Sequence, residues 1–205
     1  MAEPASRRQA DDFRLMVITP VQDLPREKAL VRDLFAAGLP CLHLRKPGKD
    51  IQALSEYLSY FNAAERARIR VHHTRPDLLQ LGIAGLHVPY SAIGRSGYAN
   101  ASLSTSIHHW KEYNRLGPNL AYVLISPVYD SLSKPGYRQN KEVWNLPPRP
   151  LVPIVALGGI HSRNILPLLL KGFSGAALLG AIWQQPEKSV QVFEEIKKRI
   201  TIYEK

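Results

Sequence analysis

The chain is poor in several things, and each shortage excludes something. It has one cysteine, Cys41, so no internal disulfide can form and a reducing compartment fits. Cys41 falls inside an apolar run and reads as a buried, inert thiol. No apolar run reaches the length of a membrane span. Residues 1–12 are polar, lack the apolar stretch of a secretory signal, and read as a frayed tail on a cytoplasmic protein. Glycine is missing after the first apolar run, where the chain reads Thr19-Pro20-Val21-Gln22, so the dinucleotide fingerprint of an open doubly wound sheet is absent. Carboxylates are scarce at the ends of the apolar runs; only Asp77 and Asp130 come near, which weighs against divalent-metal chemistry.

Acidic residues are in the minority, and the net charge is +10. The basic residues are spread (Arg7-Arg8, Arg45-Lys46, Arg66 to Arg70, Lys197 to Arg199) without interleaved aromatics, so a nucleic-acid partner is not expected. A small anionic substrate and a solvated surface account for the charge.

What is present is a rhythm. Eight short apolar runs, at Leu15–Thr19, Leu39–Arg45, Ile69–His73, Gly85–Val88, Ser102–Ser106, Leu120–Ser126, Val152–Leu157 and Gly175–Leu179, predict strands apolar on both faces. Helical patterns separate them: Pro25–Ala37, Ile51–Ala67, Pro76–Leu81, His108–Arg115, Ser162–Leu170 with Ser162 as N-cap, and Pro186–Tyr203. Eight strands alternating with helices in 205 residues predict a single-domain parallel (β/α)8 TIM barrel spanning the whole chain. The stretch from Tyr129 to Pro150 lacks periodicity and reads as a loop over the barrel mouth.

Function in such a barrel gathers at the C-terminal strand ends. The seventh run closes on Gly158-Gly159 and the eighth on Gly180, which offers bare backbone N–H groups to a phosphate. Arg45 and Lys46 follow the second run and offer fixed charge to an anion. Lys134 lies in the loop after the sixth run. His73 and Ser106 end the third and fifth runs. His108, just beyond the fifth, is the candidate proton-transfer group, while His43 and His87 read as core histidines that order the site. A catalytic zinc centre of the barrel-hydrolase type needs an H-x-H on the first strand and a late carboxylate; neither is present, so no metal site is expected.

The ordered set Leu42-His43-Leu44-Arg45-Lys46, Gly85-Leu86-His87, Ser106-Ile107-His108, Ser126-Pro127-Val128-Tyr129 with Lys134, Pro153 to Ile160 and Gly175 to Ile182 resembles the thiamine-phosphate synthase superfamily. The resemblance implies a small TIM barrel, a homodimer, and phosphate held after strands seven and eight. It also implies one of two activities. One branch couples a hydroxymethylpyrimidine pyrophosphate to a thiazole phosphate using magnesium. The other, a thiazole tautomerase, moves protons on a carboxythiazole phosphate without a metal. Where the synthase pattern carries its two magnesium-binding Asp positions, this chain has His73-Thr74 and Ala84, and its basic motif reads Arg45-Lys46-Pro47. The Ser106-Ile107-His108 triplet matches the tautomerase pattern, whose proton shuttle maps onto His108. The expectation is a metal-independent tautomerase-like enzyme acting on a small phosphorylated heteroaromatic. A magnesium-dependent synthase and a non-catalytic binder of thiazole or thiamine phosphate are the alternatives.

Overall fold

The computed structural model describes residues 13–98, 101–130 and 138–203. Eight parallel strands close into a barrel in chain order: β1 (Arg14–Ile18), β2 (Cys41–Leu44), β3 (Ile69–His72), β4 (Gly85–His87), β5 (Leu103–Ile107), β6 (Tyr122–Ile125), β7 (Ile154–Leu157) and β8 (Gly175–Leu178). Closure comes from β1 pairing with β8, with Met16 opposite Ala177. The predicted architecture is the one observed.

The strands are buried on both faces, as the near-continuous apolar runs require. Outward side chains such as Val17, Leu42, Leu44, Val71, Val123, Ile125 and Leu178 join the large core under the helices. The inward set is different. Met16, Ile18, Leu124, Val155 and Ala177 fill one side of the lumen with Tyr122. Opposite them the buried lumen is polar: His43, Arg70, His87 and Ser104. A two-residue period along each strand sorts the faces: Cys41, His43 and Arg45 look inward on β2, Arg70 and His72 on β3, Ser104 and Ser106 on β5.

The helices are α1 (Glu27–Ala36), α2 (Ile51–Ser59), α3 (Ala63–Arg66), α4 (Trp110–Tyr113), α5 (Leu166–Lys171), α6 (Gly180–Trp183) and α7 (Ser189–Tyr203). The predicted helix Ile51–Ala67 is two. The chain leaves the helix after α2, and Asn62 restarts it with a reciprocal capping box: its side chain accepts from Glu65 N, and Glu65 accepts from Asn62 N, each at 2.8 Å. Ser162 is not a cap; α5 starts later, at Leu166, because Asn164 folds the preceding turn by accepting from His161 N. Pro76–Leu81 is a 3-10 helix. The second half of the loop after β6 packs down, with Trp144 edge-on to Tyr129 and Phe173. Among the described residues no helix is long and apolar enough to cross a membrane. The expected tail, residues 1–12, lies outside the described residues.

Candidate active site

The C-terminal rim brings most of the predicted residues together. On the β5–β7 side, His108 follows β5 and its Nδ1 lies 3.1 Å from the Ser126 carbonyl at the end of β6. A carbonyl only accepts, so in the neutral ring this bond puts the proton on Nδ1 and the lone pair on Nε2; the Ser126 hydroxyl lies 3.3 Å from the same Nδ1. The backbone is pinned as well: Glu112 accepts from the N–H of His108 at 2.7 Å, and Asn140 donates to its carbonyl at 3.1 Å. The ring is exposed.

The diglycine turn sits one strand further round. A Cβ on Gly158 would meet Pro127, the residue after Ser126, at 3.0 Å. A Cβ on Gly159 would lie 2.1 Å from the Asp130 carbonyl. Both glycines have positive φ, 108° and 64°. The close approach of residues 127–130 therefore demands glycine here whether or not a phosphate binds. It also sets the turn against the segment that follows Ser126, the residue whose carbonyl faces His108. Gly180, after the adjacent β8, opens α6, whose first N–H groups have no intrahelical acceptor. Trp183 Nε1 donates to Ile18 O at 2.8 Å and locks that short helix across β1.

On the β2–β5 side lies a cleft of about 400 Å³ lined by His72, His73, Thr74, His87, Val88, Pro89 and Ser106. Ser106 Oγ is 2.9 Å from His87 Nε2, and Ser104 Oγ is 2.9 Å from His87 Nδ1. His72 Nε2 is 2.9 Å from His43 Nδ1. The other nitrogen of His43 bonds to the Tyr122 hydroxyl deep in the lumen. His72 and His87 stack, with ring centroids 4.2 Å apart. His73 is turned back on its own loop, its Nδ1 accepting from Arg75 N at 3.1 Å. Arg45 is half-buried, and Thr19 Oγ1 fixes its backbone N–H at 2.9 Å. No carboxylate pairs with it among the described residues.

Burial dominates the electrostatics. It drives His43 and His72 well below the ordinary imidazole range and His87 down to about 3. Neighbouring histidines and the Arg70 and Arg45 guanidiniums push the same way. All three rings are neutral at pH 7. Burial also raises the Cys41 thiol, in keeping with an inert cysteine.

Lys46 is placed elsewhere. Arg45 takes the inward side of β2, so the next side chain points out. The Lys46 ammonium is fully buried, 2.7 Å from Glu27, with the Pro20 and Gln22 carbonyls at 2.9 and 3.0 Å. Glu27 also accepts from Tyr57 at 2.9 Å. Lys46 is thus committed to tying β2 to α1, and it does not reach the cleft. Breaking a buried pair leaves one charge uncompensated. Lys46→Met should destabilise the protein by about 3–5 kcal/mol, read as a lower urea midpoint at unchanged slope, with ligand affinity of the folded fraction unaltered. Lys134 lies outside the described residues.

His43 and His87 are buried, as core histidines should be, but the cation beside them was not expected. Arg70 was counted with the dispersed surface charge. It is buried, donating to the Leu86 and Ser102 carbonyls at 3.0 and 2.8 Å and to Ser102 Oγ at 2.8 Å. Its guanidinium occupies the space a side chain at Gly85 would need, a Cβ there lying 2.8 Å from Nη1. Alternation along β3, which puts Arg70 and His72 on one face, was the signal available.

The comparisons agree with this architecture. The family model described as thiamine monophosphate synthase matches residues 15 to 182. A thiamine-phosphate synthase of Lysinibacillus sphaericus is 24% identical, the alignment covering 92% of this chain and 97% of that one. One of Hyphomonas neptunium is 27% identical over 89% and 93%. The crystal structure of thiamine phosphate pyrophosphorylase from Bacteroides thetaiotaomicron superposes with a TM-score of 0.76 at 25% identity, covering 93% of this chain and 98% of that one. With the eight-stranded barrel in place, and with that model running from β1 into α6, the chain belongs to the thiamine monophosphate synthase family.

Proposed function

We propose that this protein is an enzyme of thiamine biosynthesis that binds a thiazole phosphate in the barrel mouth and transfers a proton on its ring. The observation that supports the reading is His108: its Nδ1 lies against the Ser126 carbonyl, its Nε2 is available as a base, and the segment that follows Ser126 packs on the diglycine turn. The backbone N–H groups at Gly158, Gly159 and Gly180 receive the phosphate, with Lys134 as a further cation from the loop after β6. Arg45 takes a second anionic group such as a carboxylate. Ser106 and His73 border the ring. His108 Nε2 removes a proton from one carbon of the substrate and returns it elsewhere on the molecule.

A second reading, coupling of the thiazole phosphate to a pyrimidine pyrophosphate, is favoured by the names of the relatives, which are thiamine-phosphate synthases. That reaction implies magnesium, a hard cation that wants charged oxygens. The residues here do not fit it. The ends of β3 and the approach to β4 offer His73, Thr74 and Ala84, and Asp77 is held by both ends of the Arg75 guanidinium, at 3.1 and 2.9 Å.

One experiment separates the readings. Purified protein is incubated in D2O with a carboxythiazole phosphate, and separately with both coupling substrates and magnesium. Deuterium appearing on a ring carbon in the first reaction supports proton transfer. Thiamine phosphate appearing only in the second establishes coupling and ends the first reading. Tight binding without turnover in either makes the protein a carrier.

A further inference from the structure

The lumen holds a cluster that the proton-transfer reading does not use. His43, His72 and His87 come from three adjacent strands, and each offers a nitrogen within 4.8 Å of the other two. Two of the rings are already oriented from behind. Tyr122 holds His43 Nε2, and Ser104 holds His87 Nδ1. Hydroxyl partners of this kind fix ring rotation and tautomer in metal centres, leaving the opposite nitrogen free to ligate. The opposite atoms are His43 Nδ1, 2.9 Å from His72 Nε2, and His87 Nε2, 2.9 Å from Ser106 Oγ, and a bound cation would replace both of these hydrogen bonds.

From this arrangement we propose that His43, His72 and His87 form a binding site for a late first-row divalent cation of the zinc class, open to the cleft on one side. The donor chemistry selects the ion. Three neutral imidazoles suit zinc, nickel or copper and are poor ligands for magnesium or calcium. Three protein ligands with a fourth position facing a cavity is the composition of an open zinc site. Nitrogens bound to one tetrahedral zinc lie about 3.3 Å apart, so a pair at the 4.8 Å limit would need to close by about 1.5 Å. His72 and His87 border the cleft, while His43 is fully buried beneath them, so the closing movement falls to the two outer rings. His72 is only half-buried there.

The charges around the cluster add a condition. Arg45 and Arg70 both act on the rings, and no carboxylate among the described residues does. A dication entering alone meets positive potential. An anion in the fourth position, held by Arg45 as well, relieves it. The site should therefore take up its ion together with a phosphate or carboxylate oxygen. The sequence alone gave no such expectation, because the three histidines are separated along the chain and only barrel closure brings them together. The inference does not depend on which thiazole reaction the protein performs, since its readout is metal binding.

The test is titration of chelator-stripped full-length protein with Co2+, followed by visible absorption, with and without inorganic phosphate. The expected result is one equivalent of Co2+ giving the intense bands of a four-coordinate site, displaced by Zn2+, with affinity at least tenfold higher when phosphate is present. His72→Gln, at the cleft edge, should weaken binding by about 100-fold or more, while His161→Gln, on the surface loop after β7, should not change it. Should His72→Gln fail to fold, ring-nitrogen NMR of the wild type must show Zn2+-induced shifts confined to His43, His72 and His87. Absence of saturable Co2+ bands in the wild type, bands that survive in folded His72→Gln, or shifts on other histidines would overturn the assignment.

Discussion

Replacing His108 with alanine should lower turnover by about 10²–10⁴-fold, the usual contribution of a positioned general base, and leave substrate affinity nearly unchanged. The expectation rests on geometry. The imidazole lies at the rim after β5, its Nδ1 faces the Ser126 carbonyl, and its backbone is tied to Glu112 and Asn140. These ties come from α4 and from the loop around Asn140, so removing the ring should not disturb the strand ladder. The assay is kcat and KM for the thiazole substrate in wild type and variant. A loss confined to kcat supports proton transfer. A change in KM alone would make His108 a binding group, and unchanged turnover would remove it from the mechanism.

Below pH 6.5 the metal-free fold should lose stability steeply. In the unfolded chain each histidine titrates near 6.5. In the folded protein His87 titrates at about 3, and His43 and His72 are also held well below the ordinary value, chiefly by burial. Between those limits the unfolded chain takes up protons that the folded one refuses, so stability rises with pH and falls with acid. Each such histidine contributes about 1.4 kcal/mol per pH unit, and three together up to about 4. Against a total of about 5–15 kcal/mol, that slope unfolds the barrel within a few pH units. Urea midpoints on chelator-treated protein at pH 7.5, 6.0 and 5.0 check this. A flat profile would mean that the rings accept protons in place and that the lumen is wetter than the structure shows.

The architecture was open to a reading of the sequence because parallel strands covered by helices leave a strong trace: eight short apolar runs, most of them closed by a polar residue or a glycine. The rim was readable for the same reason, and Arg45, Ser106, His108, Gly158, Gly159 and Gly180 all stand at strand ends. Two things were hidden. One was the fate of Lys46, which depends on a buried acid, Glu27, nineteen positions away on α1. Adjacent basic residues look alike in a sequence, and a strand turns them to opposite sides. The other was the polar lumen. His43 and His87 read as core histidines, but Arg70 read as surface charge and Tyr122 carried no signal at all. Their meaning appears only when β2 to β6 are laid side by side and Tyr122 is found beneath His43. The helix boundaries slipped where local hydrogen bonds overrode periodicity, as at Asn62 and Asn164.

The most direct measurement of the account is a crystal structure with a thiazole phosphate bound. It should show the phosphate on the N–H groups of the Gly158–Gly159 and Gly180 turns, with the ring carbon that exchanges its proton within about 3.5 Å of His108 Nε2. A phosphate seated away from those turns, or a ring out of reach of His108, would contradict it.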